Sequence, residues 1–454
     1  MKSALLLFLL IGLAGRLTAQ VRHVILISID GFHPDMYLDK SWPAPNLSYL
    51  AKEGTYADYL LSVFPSYTYP SHTAMVTGAL PARSGILFNQ PVNDHSGAWN
   101  WFARSVRVPA LWQVLKAKSY STAAIEWPAT VGADITWNLP EIWSADHPGD
   151  RITEARKYAT PGLAEAIEQN ATGKLDSMNF NDDYLLLDEN LGRATAYVFK
   201  TRKPVFMAVH FANVDSYEHD YGRDADSVRM ALETDDRAIG NILEAVQESG
   251  LKDSTAVIIV GDHGFASISQ VMRPNMLIKG IAAKFVPSGG SCFLYKYPGT
   301  SPGEIPGIVK AVTDSLNKLP AFKRKLFRII DRKELYKMGA DSAALLALSG
   351  INGSGLVFSG STAPAKTVNH GVGTRIQQSP MNGIFFPTHG GHHGYDPNNP
   401  EIYTGFIAYG AGIIKGGHID HLAEPDIAVL VAKLLGIDFK TPDGKYIPGV
   451  IAEK

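Results

Sequence analysis

The sequence has almost no cysteine. Cys292 is the only one in 454 residues, so the chain can form no internal disulfide and must draw its stability from core size. It also lacks an excess of either charge. The 42 Lys and Arg stand against 44 Asp and Glu, a net charge of -2, and nothing in that balance argues for a protein that coats nucleic acid or binds membrane surfaces electrostatically. No second long apolar run follows the N-terminal one, so no membrane span is expected in the mature chain. Internal repeats and low-complexity tracts are missing as well. What is present, 45% hydrophobic and 19% charged residues, is the composition of an ordinary globular protein.

The first 20 residues have the layout of an export signal. Lys2 supplies the positive start, Ala4 to Ala14 the apolar run, and Thr18-Ala19-Gln20 the cleavage region. We therefore expect residues 1–20 to be removed and the mature protein to be exported to a periplasmic or extracellular space. The run is too short for a comfortable transmembrane helix. In such a route Cys292, after Gly289-Gly290-Ser291, reads as a buried strand residue.

Short β-branched runs predict buried strands of a parallel sheet at His23 to Ile29, Ser121 to Ile125, Val205 to Phe211, Ala256 to Val260 and Ile402 to Ala408. Helical patterns lie between them, at Asn46 to Lys52, Pro109 to Ala117, Pro161 to Glu168, Asp182 to Phe199 and Ser227 to Glu248. This alternation predicts a doubly wound, mostly parallel α/β sheet. Residues 276–375 break the pattern. Gly and Ser clusters there flank a helix near Ile305 to Leu319 and strands near Phe293 to Tyr297 and Phe327 to Asp331. The expected organisation is a core of 21–275, an inserted α+β subdomain of 276–375, and a second core segment of 376–454. The Pro- and Gly-rich stretch Phe386 to Pro400 then reads as a long loop, of a length that is usually functional.

Ligands of open α/β sheets sit beyond the carboxyl ends of the strands. Three predicted strands run into acidic residues there: Asp30-Gly31, Asp215, and Gly261-Asp262-His263-Gly264. A single strand-end Asp is commonly a helix cap or turn residue. Three of them, two with a nearby His, point to metal. Asp215 and His219 share one helical face at their four-residue spacing. The flanking glycines allow the backbone to turn so that Asp262 and His263 face one site. The loop His389-Gly390-Gly391-His392-His393-Gly394-Tyr395-Asp396 adds three histidines. Carboxylates together with imidazoles suit zinc, and the inventory suffices for two sites. A hydroxyl nucleophile is sought in Phe64-Pro65-Ser66-Tyr67-Thr68-Tyr69-Pro70-Ser71-His72-Thr73, a turn entering a helix that reaches Gly78. Spacing leaves Thr68, Ser66 and Ser71 equal, since each can serve as a helix cap.

Together these segments resemble the nucleotide pyrophosphatase/phosphodiesterase family of the alkaline phosphatase superfamily. The resemblance runs from Val24 to about Leu435. It rests on Ile27-Ser28-Ile29-Asp30-Gly31, the Pro65 to Gly85 stretch, Asp215 to His219, Gly261-Asp262-His263-Gly264 and His393-Gly394-Tyr395-Asp396 in that order, with Ala408-Tyr409-Gly410 and the Asp426 helix as a closing segment. It implies an alkaline phosphatase-like fold and two Zn2+ per chain. One zinc would be held by Asp30, Asp262, His263 and the Thr68 oxygen, the other by Asp215, His219 and His393. It implies Thr68 as nucleophile, through a phosphothreonine intermediate, and Asn89 as the amide that contacts a phosphoryl oxygen. His392 would be a neighbour of the ligands, and His72 would support the helix. Tyr69 matches a position that stacks a nucleobase in relatives, and Glu126-Trp127-Pro128 resembles the family's Trp-Pro segment. The implied substrate is a small, nucleotide-like phosphate ester.

Diester substrates are favoured over monoesters, because aromatic and apolar residues (Tyr67, Tyr69, Phe88, Trp127, Trp137) rather than extra cations surround Thr68 and Asn89 in the sequence. Two departures touch the base pocket: Ser71 stands where relatives usually carry Asn, and His210-Phe211-Ala212-Asn213 replaces their Tyr and paired Glu, which leaves sugar-phosphate and lipid-headgroup diesters open beside nucleotides. The lack of a disulfide framework suggests a bacterial type. The alternatives are a phosphomonoesterase on the same scaffold and, from another class, an exported protein that holds metal without catalysis. A sulfatase is disfavoured because the one cysteine is far from the nucleophile motif.

Overall fold

The computed structural model describes residues 20–92, 96–362 and 383–452. The signal expected at 1–20 and the end of the expected insertion fall almost entirely outside them.

An eight-stranded sheet organises the chain: β1 (His23–Ile29), β2 (Thr55–Leu61), β3 (Thr122–Ile125), β4 (Trp137–Leu139), β5 (Phe206–Phe211), β6 (Thr255–Gly261), β7 (Phe406–Gly410) and β8 (Gly417–Ala423). Their spatial order is β8-β2-β7-β6-β1-β5-β3-β4. The strands are parallel except β7, which runs against both β6 and β2. The expected sheet is thus present, and four of the five expected strands lie within a residue of their predicted bounds. The fifth is displaced: Pro400–Ile402 form a short 3-10 turn, the strand begins only at Phe406, and it is antiparallel.

Alternation along buried strands explains the two layers. Ile25, Ile27 and Ile29 of β1, with Met207, Val209 and Phe211 of β5, face one side, against helices α2 (Leu186–Arg202) and α4 (Asp226–Glu248). Val24 and Leu26, with Phe206 and Ala208, face the other, against α1 (Thr68–Thr77) and α5 (Glu424–Leu434). A sheet covered on both faces needs apolar residues at every position, which is why these runs read as continuous rather than alternating. A shorter helix, α3 (Asn213–Tyr221), follows β5 directly.

Beside the main sheet lies a four-stranded antiparallel sheet in the order Phe327–Asp331, Leu346–Gly350, Ser291–Lys296, Ala283–Ser288. Helix Ile305–Asn317 packs on it through Ile308, Val312 and Leu316. Cys292 is buried in its core, as a strand residue.

Candidate functional site

Register places the chemistry. Ile29, Phe211 and Gly261 are level across β5-β1-β6, so the chain leaves three adjacent strands at one edge. Asp30 follows β1, Asp262 and His263 follow β6, and Asp215 sits in the first turn of α3 with His219 one turn later. His393 arrives from the His-rich loop. Gly261 and Gly264 act here by allowing close approach rather than by a special turn. A side chain at Gly261 would meet the Thr404 hydroxyl at 1.9 Å, and one at Gly264 the Tyr403 carbonyl at 2.7 Å.

The six side chains converge. His263 Nε2 lies 3.1 Å from Asp30 Oδ1, 3.5 Å from Asp262 Oδ2 and 4.0 Å from Asp215 Oδ1. Asp215 Oδ1 is also 3.5 Å from His219 Nε2 and 3.7 Å from His393 Nε2. The rings of His263 and His393 stack at 3.7 Å. Backbone carbonyls orient two of the imidazoles from behind. Ser66 O holds His393 Nδ1 at 3.0 Å and Gly391 O holds His219 Nδ1 at 3.2 Å, which turns both Nε2 atoms toward Asp215. His392, read from the sequence as a bystander, also lies within coordinating reach of His219 and His393.

This donor set fits metal ions. Asp30 Oδ1, Asp215 Oδ1, Asp262 Oδ2 and His263 Nε2 are buried and have no hydrogen-bond partner. Unpaired buried acceptors are costly, and a divalent cation among them removes the cost. Burial raises Asp30 well above the usual carboxylate range, helped by Asp215 and Asp262, and pushes Asp262 up to about 8 and Asp215 up to about 6. Burial likewise holds His263 and His393 well below the usual imidazole range. Neutral imidazoles are the form that ligates, and the carboxylates need positive charge to ionise.

Of the three candidate hydroxyls, only Thr68 lines the cleft over this cluster. Ser66 is buried, with its Oγ donating to Tyr395 O and accepting from Gly394 N, and Ser71, within α1, is buried. Asn89 reaches the same cleft. Its Oδ1 accepts from Tyr69 N at 3.0 Å, which reserves the amide nitrogen as a donor. His72 Nδ1 meets Thr68 O at 2.7 Å, so it must carry the proton; its Nε2 then accepts from His210 Nδ1 at 3.0 Å. That polarity leaves His210 Nε2 as a bare acceptor facing Asp30 Oδ2 at 3.3 Å, one more acceptor without a donor beside the cluster.

Tyr69 is placed elsewhere than the base-stacking reading requires, and Trp127 of the Trp-Pro segment, a candidate substrate contact, lines neither cavity. Both are fully buried: Tyr69 packs edge-on to Trp99 and Trp127 edge-on to His72. Along α1 each successive side chain turns by about 100°, so the residue after Thr68 points into the core. The aromatic walls of the adjoining larger cavity, about 640 Å³, are Tyr67, Phe88 and Trp99, faced by Lys284, Phe285 and Pro287 of the second sheet. The sequence reading also missed His210, Glu141 and Arg151 of the inner cleft. His210 enters the sequence reading only within a stretch that departs from relatives, with no role of its own, while Glu141 and Arg151 lie in a segment with no motif.

Similarity to known proteins agrees with this picture. The chain is 30% identical over 253 residues to mouse bis(5'-adenosyl)-triphosphatase enpp4, covering 54% of this chain and 48% of that protein. It is 22% identical over 459 residues to rat ectonucleotide pyrophosphatase/phosphodiesterase family member 7, covering 96% and 88%. The chain thus spans about half of the first relative and most of the second. It has the fold of human ectonucleotide pyrophosphatase/phosphodiesterase 5 (TM-score 0.65, 16% identity, 93% of this chain and 97% of that one). The inactive murine counterpart, solved in complex with AMP, superposes with a TM-score of 0.64 at 16% identity, with 93% and 97% coverage. Residues 24–372 match the sequence profile of the type I phosphodiesterase / nucleotide pyrophosphatase family, and the chain belongs to that family.

Proposed function

We propose that this protein hydrolyses phosphate diesters with Thr68 as nucleophile and two zinc ions held by Asp30, Asp262, His263 and Thr68 and by Asp215, His219 and His393. The observation that carries the reading is the convergence of unpaired buried carboxylate oxygens and neutral imidazoles, four of whose residues line one cleft with Thr68. Zinc bound there supplies the charge that favours a threonine alkoxide and stabilises the leaving oxygen. The Thr68 oxygen attacks phosphorus, a bond to it forms, and the bond to the leaving group's oxygen breaks. Thr68 then carries the phosphoryl group with the retained ester arm until water releases it. The Asn89 amide, fixed by Tyr69 N, donates to a non-bridging oxygen. Replacing Asn89 with Ala should lower kcat by about a hundredfold or more, in the range of a lost oxyanion donor, with little change in zinc content.

Charge supports diesters over monoesters. The one guanidinium in the inner cleft, Arg151, is already answered by Asp182 and lies 3.8 Å from Glu141. Nothing there is left over for the second negative charge of a monoester. Bis(p-nitrophenyl) phosphate and a nucleotide ester should turn over well above p-nitrophenyl phosphate; the reverse order would favour the monoesterase. We also propose that 276–375 form an inserted unit, whose Lys284, Phe285 and Pro287 wall the larger cavity, and that the substrate is nucleotide-like. Export to a periplasmic or extracellular space, of a bacterial type, is part of the same proposal. Among the described residues no helix is long and apolar enough to cross a membrane.

A further inference from the structure

The inner cleft, about 90 Å³, is also lined by residues that the chemistry above does not use. Glu141 and Arg151 line it, each more than nine-tenths buried. Arg151 NH1 stands 3.8 Å from Glu141 Oε1, and its NH2 donates to Asp182. Each side chain keeps a polar atom with no well-formed hydrogen bond, Oε2 of Glu141, whose carboxylate lies near the Tyr69 hydroxyl, and Nε of Arg151. Trp99 and Trp143, 4.9 Å apart and set at 67°, complete the walls. A buried acceptor beside a buried donor, both unsatisfied, is the complement of a hydroxyl, which donates and accepts at once. The Trp99 indole, which no guanidinium among the described residues covers, suits the C–H surface of a polyol or sugar.

A quaternary ammonium also seeks aromatic walls and carboxylates. Here the Arg151 guanidinium already lies over Trp143, 4.5 Å from the ring centroid, so that face is taken and a second cation would be repelled. Trp99 and Asn89 line both the inner cleft and the larger cavity, so a phosphate at Thr68 can send one ester arm each way. We propose that the Glu141–Arg151–Asp182 part of the cleft is a subsite for a hydroxylated ester arm, a polyol or sugar. This rests on the diesterase reading above.

The test uses the full-length, zinc-loaded protein and three p-nitrophenyl phosphodiesters, whose second arm is glycerol, ethyl or choline. The glycerol ester should exceed the ethyl ester in kcat/KM by about tenfold or more, the discrimination available when buried polar groups lose their partner. Glu141→Gln, close in shape, should bring that ratio toward one. Equal turnover of the glycerol and ethyl esters by the unaltered protein would overturn the subsite while leaving the diesterase intact. A choline ester turned over fastest would overturn the hydroxylated class. No turnover of any of the three with two zinc bound would instead overturn the diesterase reading, and this inference with it.

Discussion

Thr68→Ala should lower kcat on phosphate diesters by at least about a thousandfold, the scale on which a covalent catalyst loses its nucleophile. Zinc content should stay near two per chain, because Asp30, Asp262 and His263 on one side and Asp215, His219 and His393 on the other remain. The comparison with Ser66→Ala is informative. Ser66 Oγ bridges Tyr395 O and Gly394 N, and its carbonyl orients His393. Its loss should cost stability and loosen one zinc rather than remove the nucleophile. A Thr68→Ala protein with more than a tenth of the original rate would assign the chemistry to another group.

Metal removal should have the second large effect, and its sign depends on pH. In the metal-free protein burial raises Asp262 to about 8 and Asp215 to about 6, from ordinary values of 3.8. Between about pH 4 and 8 the folded state then holds protons that the unfolded chain has released. The share of metal-free stability set by these two carboxylates therefore falls as pH rises through that window, while the buried imidazoles of His263 and His393, held below their ordinary value of 6.5, contribute the opposite slope on its acid side. Bound zinc reverses the slope, since it needs the same carboxylates ionised and the imidazoles neutral, and acid competes with it. Chelation should abolish turnover and lower Tm by about 5–10 °C at pH 8, and by less at pH 5. Adding zinc back should restore both. Thermal scans of chelated and reloaded protein at the two pH values check this; a gap that narrows as pH rises would show that the carboxylates are not compensated by metal.

Much of this was legible in the sequence where burial writes a simple pattern. The central strands β1, β5 and β6 are covered on both faces and so read as apolar runs, and the acidic residues at their ends stand out by contrast. The two strands at one end of the sheet, the edge strand β8 and its neighbour β2, did not read. Along β2 buried, half-buried and exposed residues mix, and β8 carries His418, Asp420 and His421 outward, so neither shows an apolar run; β8 is defined by its pairing with β2, some 360 residues away, and β2 by its pairing with β8 and β7. The loop around His389 to Asp396 was seen as a source of ligands, but its short pairing of Gly391–His392 with Ala266–Ser267 is a long-range event without a local signal. His210 was missed for the same reason: only the register of β5 beside β1 turns it toward Asp30. Thr68 could not be separated from Ser66 and Ser71 by spacing, whereas three-dimensional placement gives each hydroxyl a different neighbourhood. The aromatic pocket was read from proximity in sequence to Thr68, and helical rotation moved Tyr69 into the core while leaving Tyr67 at the cavity.

The most direct measurement of the central claim is the stereochemical course at phosphorus. A chiral thiophosphate diester is hydrolysed by the zinc-loaded protein in isotopically labelled water and the configuration of the product is determined. Attack by Thr68 followed by attack by water is two in-line displacements, and the account predicts net retention. Net inversion would mean that water attacks the substrate directly, and would contradict it.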